Sequence, residues 1–79
     1  MPHLGLDAAR QQLDISVIDL WWRSFALGGS IDAYRLAAYL AGRTTETDHV
    51  HDTIVHALNE AFTERGQDSP VPYRTEPTL

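Results

Sequence analysis

Three of the four histidines stand in one nine-residue run, Asp48-His49-Val50-His51-Asp52-Thr53-Ile54-Val55-His56. On a helix, His49, Asp52 and His56 share a face at spacings of three and four, with Glu60 one turn further on. Imidazole and carboxylate groups at that spacing are the donors a divalent cation takes. The run is not the HExxH arrangement, in which two histidines four apart hold zinc beside a glutamate base. His49 and His56 are seven residues apart, roughly 10.5 Å along a helix axis, so together they do not close on one ion unaided. The expectation for His49, Asp52 and His56 is therefore a solvated face, with no metal and no cofactor. His51 projects the other way, toward an apolar stripe beside Leu58. It is either a half-buried residue hydrogen-bonded to a backbone carbonyl or a pH-sensitive switch in an interface, since an unperturbed imidazole titrates near about pH 6.5.

Nothing else in the chain assembles into catalytic machinery. There is no cysteine, which removes thiol catalysis, disulfides and thiolate metal sites together. Ser16, Ser24, Ser30 and Ser69 lack a nucleophile-elbow setting. Gly28-Gly29 follows no strand and is explained as a helix stop rather than a phosphate loop. The expectation is a protein that is not an enzyme.

The aromatic residues carry more. Asp19 to Ser30 reads DLWWRSFALGGS, with two adjacent tryptophans. At about 100° per residue, Val17, Ile18, Leu20, Trp21 and Phe25 form one broad apolar face, with Asp19 and Arg23 opposite and placed to pair. Trp21 falls within that arc and is expected in the core. Trp22 falls at its edge, beside Ala26. Tryptophan, tyrosine and arginine are enriched as interface anchors. Trp22, Arg23, Tyr39 and Tyr73 are accordingly the residues expected to meet a partner.

These side chains must be held by helices, because no stretch alternates as a strand does. The fold class expected is all-α, a compact bundle of about four helices over residues 8–13, 17–27, 31–41 and 46–65. Asp7 is the expected cap of the first helix. Ser16 with Asp19 makes a capping box for the second, and Gly28-Gly29 ends it. Ser30 is expected to cap the third, with Asp32 in its first turn, and Gly42 to close it. Thr45 with Asp48 is expected to open the fourth, which Gly66 ends.

The third helix is apolar almost all round, which suits a central helix or one covered by a second chain. The fourth carries a stripe of Val50, Ile54, Ala57, Leu58, Ala61 and Phe62, with Val55 at its margin. Asp52, Asn59, Glu60 and Glu64 lie off that stripe and are expected in solvent. The helical domain spans residues 1–66. Residues 67–79 hold three of the four prolines and read as an extended or disordered tail, laid over a neighbouring surface through Val71 and Tyr73.

The composition fits this size and class. A chain of 79 residues, 43% hydrophobic and 22% charged, builds one modest core. Its stability margin is thin enough for self-association to help. The formal net charge is −5, and all six basic residues are arginines scattered without a cluster. Phosphate binders need a basic face, so a nucleic-acid partner is not expected. No span has the roughly 20 apolar residues that cross a bilayer, and residues 1–5 lack a signal peptide's basic and apolar regions. A cytoplasmic protein without a membrane partner is expected.

Two resemblances accompany these readings. The pattern DLWWRSFALGG, AYLAG, HDTIVHALNEAF and PVPY resembles short, uncharacterised actinobacterial all-helical proteins, which bring no activity with them. The segment AARQQLDISVIDLWWRSF is similar to part of the ANTAR domain, a helical RNA-binding module of bacterial antitermination regulators. That resemblance covers about a quarter of the chain. It implies an alternative function as a nucleic-acid-binding transcriptional or antitermination regulator using the helix–turn–helix-like segment 8–27. The later helices lack the basic residues that RNA contact would use. The function expected first is a non-catalytic protein-interaction or regulatory module, self-associating through a tryptophan-edged surface.

Overall fold

The computed structural model describes residues 5–68 and 71–73. They form four helices and, among the described residues, no strand: α1 (Leu6–Leu13), α2 (Val17–Ala26), α3 (Ala33–Leu40) and α4 (Asp48–Glu64). No helix among them is long and apolar enough to cross a membrane.

The caps show how the chain chose its boundaries. Ser16 and Asp19 form the anticipated capping box, with Ser16 Oγ accepting from the Asp19 N–H at 3.0 Å. The other three starts differ from expectation. Extended Gly5 precedes α1, so Asp7 lies inside the first turn. There its carboxylate accepts from Arg10 Nε at 2.9 Å and Gln11 Nε2 at 2.7 Å.

Asp32, not Ser30, caps α3 by accepting from the Arg35 N–H at 2.7 Å. The helix starts later because Ile31 is drawn into the core ahead of it. Thr47, not Thr45, caps α4 by accepting from the Val50 N–H at 3.2 Å. Glu46 thereby falls outside the helix. Its side chain is only 3% exposed and meets Arg35 Nη2 at 2.6 and 2.7 Å.

α4 is the axis of the core. Ile54, Val55, Ala57, Leu58, Ala61 and Phe62 are all buried, so Val55 belongs to the core rather than its margin. α1 and α2 pack against α4, and α3 packs against α2. They contribute Ala9, Leu13, Leu20 and Leu36. The tail returns to this core: Val71 is buried with it. Asn59, expected in solvent, is buried instead, because its amide pairs with the Val71 backbone. The rest of the expected tail, residues 69–70 and 74–79, lies outside the described residues.

α3 is peripheral rather than central. Leu36 is buried, with Tyr39 and Leu40 packed partly against the core, while Tyr34 is 85% exposed and Ala37 faces solvent.

Candidate functional site

α2 divides its two tryptophans as their angular positions require. Trp21 is partly buried against the core, and its Nε1–H donates to the Ile31 carbonyl at 2.8 Å. Its indole therefore has a polar partner where it leaves solvent. Trp22 is 56% exposed and meets the ring of Trp21 edge-on at a centroid distance of 4.7 Å.

Ile18 and Phe25 depart from the core placement that the helical projection gives them. Both are more than half exposed. The apolar arc of α2 is wider than the core it faces, so Leu20 and the small Ser24 take the interior. Ser24 is satisfied there by donating to the Trp21 carbonyl at 2.9 Å.

Ile18, Trp22 and Phe25 are spaced by four and then three residues, which aligns them along one side of the helix. Phe25 stacks on Trp21 at 5.4 Å and meets Trp22 edge-on at 6.1 Å. Ile18, Trp22 and Phe25 thus form one exposed apolar face, of which Trp22 is the middle and not the rim. The spacing is visible in the sequence. Which edge of the arc stays open depends on where α3 and α4 lie.

Arg23 does not pair with Asp19. It reaches across to α4 and donates to Glu64 through Nη1 and Nη2 at 3.2 and 3.3 Å. Asp19 is occupied at the α2 start, beside the apolar face. Tyr39 is half-buried, and its hydroxyl lies 2.6 Å from His51 Nδ1. Tyr39 thereby braces α3 on α4, and His51 has a side-chain partner in place of the expected backbone carbonyl. Tyr73 is exposed, with its hydroxyl 3.3 Å from His56 Nδ1.

The histidine face does converge, in part. His49, Asp52 and His56 line an open groove of about 430 Å³ together with Leu27, Thr53 and Tyr73. His56 also lies 3.7 Å from Glu60. Among the described residues no group of three histidine, cysteine, aspartate or glutamate side chains is arranged to hold a metal ion.

Comparison with known protein families, curated proteins and solved structures found no match.

Proposed function

We propose that this chain is a small non-catalytic interaction or regulatory module of the cytoplasm, presenting the Ile18–Trp22–Phe25 face of α2 to protein. The observation that carries this reading is the exposure of three large apolar side chains on one side of one short helix. Aromatic side chains bury on the order of 150–250 Å² each. Half-exposed, this trio offers roughly 300–400 Å² of apolar surface, within the range where a monomer's largest patch is often functional. Tryptophan and phenylalanine at the middle of such a patch give much contact area for few rotatable bonds.

The arginines support a protein partner over a phosphate backbone. Arg10, Arg23 and Arg35 are each matched by a carboxylate of the same chain, in a protein of net charge −5.

The test is capture of partners from host lysate by tagged wild type and Trp22→Ala, with and without nuclease, alongside sedimentation of the purified protein. Proteins retained after nuclease and lost with Trp22→Ala, or a wild-type oligomer that Trp22→Ala dissociates, are the expected results. A wild type monomeric at millimolar concentration that captures nothing Trp22-dependent sinks the reading. Steep loss of binding with added salt would replace it with a nucleic-acid binder.

A further inference from the structure

We infer that the occupant of the α2 face is a second copy of this chain, docked so that the two α2 helices run antiparallel about a two-fold axis. This rests on the interaction reading above and gives it a partner and a register.

The first ground is the pattern of the face. Ile18, Trp22 and Phe25 take the four–three spacing with which one helix lays a straight seam against another. A two-fold axis through the middle of the seam sets Ile18 opposite Phe25 of the second copy and Trp22 opposite Trp21 and Trp22. Large thus meets large at the centre, and isoleucine meets phenylalanine at both ends. The same patch serves both copies, as an isologous contact requires.

The second ground is charge. Asp19 and Arg23 lie on one flank of the seam, four residues apart. In the antiparallel arrangement that flank of each copy lies on the same side of the dimer. Arg23 of the second copy then comes level with Leu20, one residue or about 1.5 Å of helix rise from Asp19. Two crosswise Asp19–Arg23 pairs form, one at each end. Arg23 keeps Glu64 on its other side, since a guanidinium has donors for two carboxylates. A parallel pair would put the two flanks on opposite sides of the dimer and form neither contact. The open side of α3, lined by Tyr34, Ala37, Ala38, Ala41 and Arg43, offers no acidic partner for its arginine and competes poorly.

The third ground is area. Two copies of the apolar trio amount to roughly 600–800 Å² of buried surface, and the charged flanks bring the contact toward the lower bound of specific interfaces near 1,200 Å². The dimer is therefore weak and concentration-dependent.

The experiment uses charge complementation in the full chain. Asp19→Lys and Arg23→Glu each place like charges in the crosswise pairs and should each raise the dimer dissociation constant at least tenfold. Mixed in equal amounts, the two variants should form a heterodimer. The introduced lysine of one then faces the introduced glutamate of the other at one end, and the native Arg23–Asp19 pair forms at the other. Circular dichroism checks that each variant remains helical. Should either unfold, the absence of native cysteine permits a second test, in which Ile18→Cys and Phe25→Cys chains are mixed under mild oxidation.

Heterodimers joining position 18 to position 25 support the antiparallel seam. A preference for 18–18 and 25–25 links, or no link, overturns it. If wild type dimerises and Trp22→Ala does not, yet the charge variants fail to complement, the register falls and the interaction reading stands. A wild type that remains monomeric at millimolar concentration overturns the second-copy assignment, and capture of Trp22-dependent proteins then decides whether the interaction reading survives.

Discussion

The side chain of Asn59 holds both backbone groups of Val71: its Nδ2–H donates to the carbonyl at 2.9 Å, and its Oδ1 accepts from the N–H at 3.1 Å. This amide does for one residue what a neighbouring strand would do, and the Val71 side chain is buried as a result. Asn59→Ala orphans two buried backbone groups, each worth about 1–3 kcal/mol when left unmatched. Asn59→Asp retains the acceptor but turns a carboxylate oxygen toward the Val71 carbonyl. Both variants are expected to lose at least ~2 kcal/mol in urea unfolding. A midpoint unchanged from wild type for Asn59→Ala would show that the tail is not fastened this way.

The adjacent tryptophans should separate cleanly by mutation. Trp21→Ala removes a partly buried indole and strands the Ile31 carbonyl, and it is expected to cost about 3–5 kcal/mol. Trp22→Ala removes a mostly exposed ring and is expected to change the monomer's stability by no more than about 0.5 kcal/mol. Thermal melts of dilute protein, where any dimer has dissociated, give the comparison. Equal losses would mean that both rings serve the core.

Gly28 and Gly29 are constrained for different reasons. Gly28 has a φ of +87°, and a Cβ added there would meet only open space. Gly28→Ala should therefore cost roughly 1–2 kcal/mol for left-handed backbone alone. Gly29 receives no such penalty. Its N–H donates to the Ser24 carbonyl at 2.8 Å, and an added Cβ would stand 2.7 Å from that same oxygen. Gly29→Ala must push the connection off the end of α2, at a cost of about 1–3 kcal/mol. A D-alanine at position 28, introduced by chemical synthesis, tests the first cause: at a φ of +87° it should restore the stability that L-alanine loses. A D-alanine no more stable than L-alanine at position 28 would show that left-handed backbone is not the constraint there.

The helices are legible in the sequence because their signals are local. Serine three residues before aspartate marks the start of α2, and glycines mark the stops, including Gly42 and Gly66 at φ of +77° and +74°. The local signals place the starts of α3 and α4 two residues too early. In both places two polar residues compete for the cap, Ser30 with Asp32 and Thr45 with Thr47. The choice is made at a distance, by burial of Ile31 and by the pull of Arg35 on Glu46. The site is legible only in part for the same reason. Trp22 stands at the edge of the apolar arc, but the arc alone does not say that Ile18 and Phe25 stay outside with it. Asn59 reads as an ordinary polar residue until Val71 comes back beside it.

The Tyr39–His51 contact gives the last prediction. At 2.6 Å the hydroxyl and Nδ1 share one proton-mediated bond between α3 and α4. A phenol donates more strongly than it accepts, so with a neutral ring the expected arrangement is hydroxyl to bare Nδ1, with the ring proton on Nε2. With a protonated ring Nδ1 itself donates, and the hydroxyl turns to accept, since it has both capacities. A hydrogen bond can therefore form in either charge state, with donor and acceptor exchanged. Nitrogen chemical shifts of His51 are expected to report the Nε2–H tautomer while the ring is neutral, and Tyr39→Phe should relax that preference. The same substitution should cost about 0.5–1.5 kcal/mol with a neutral ring, and more with a charged one. No loss in either charge state would show that this contact does not hold α3 on α4.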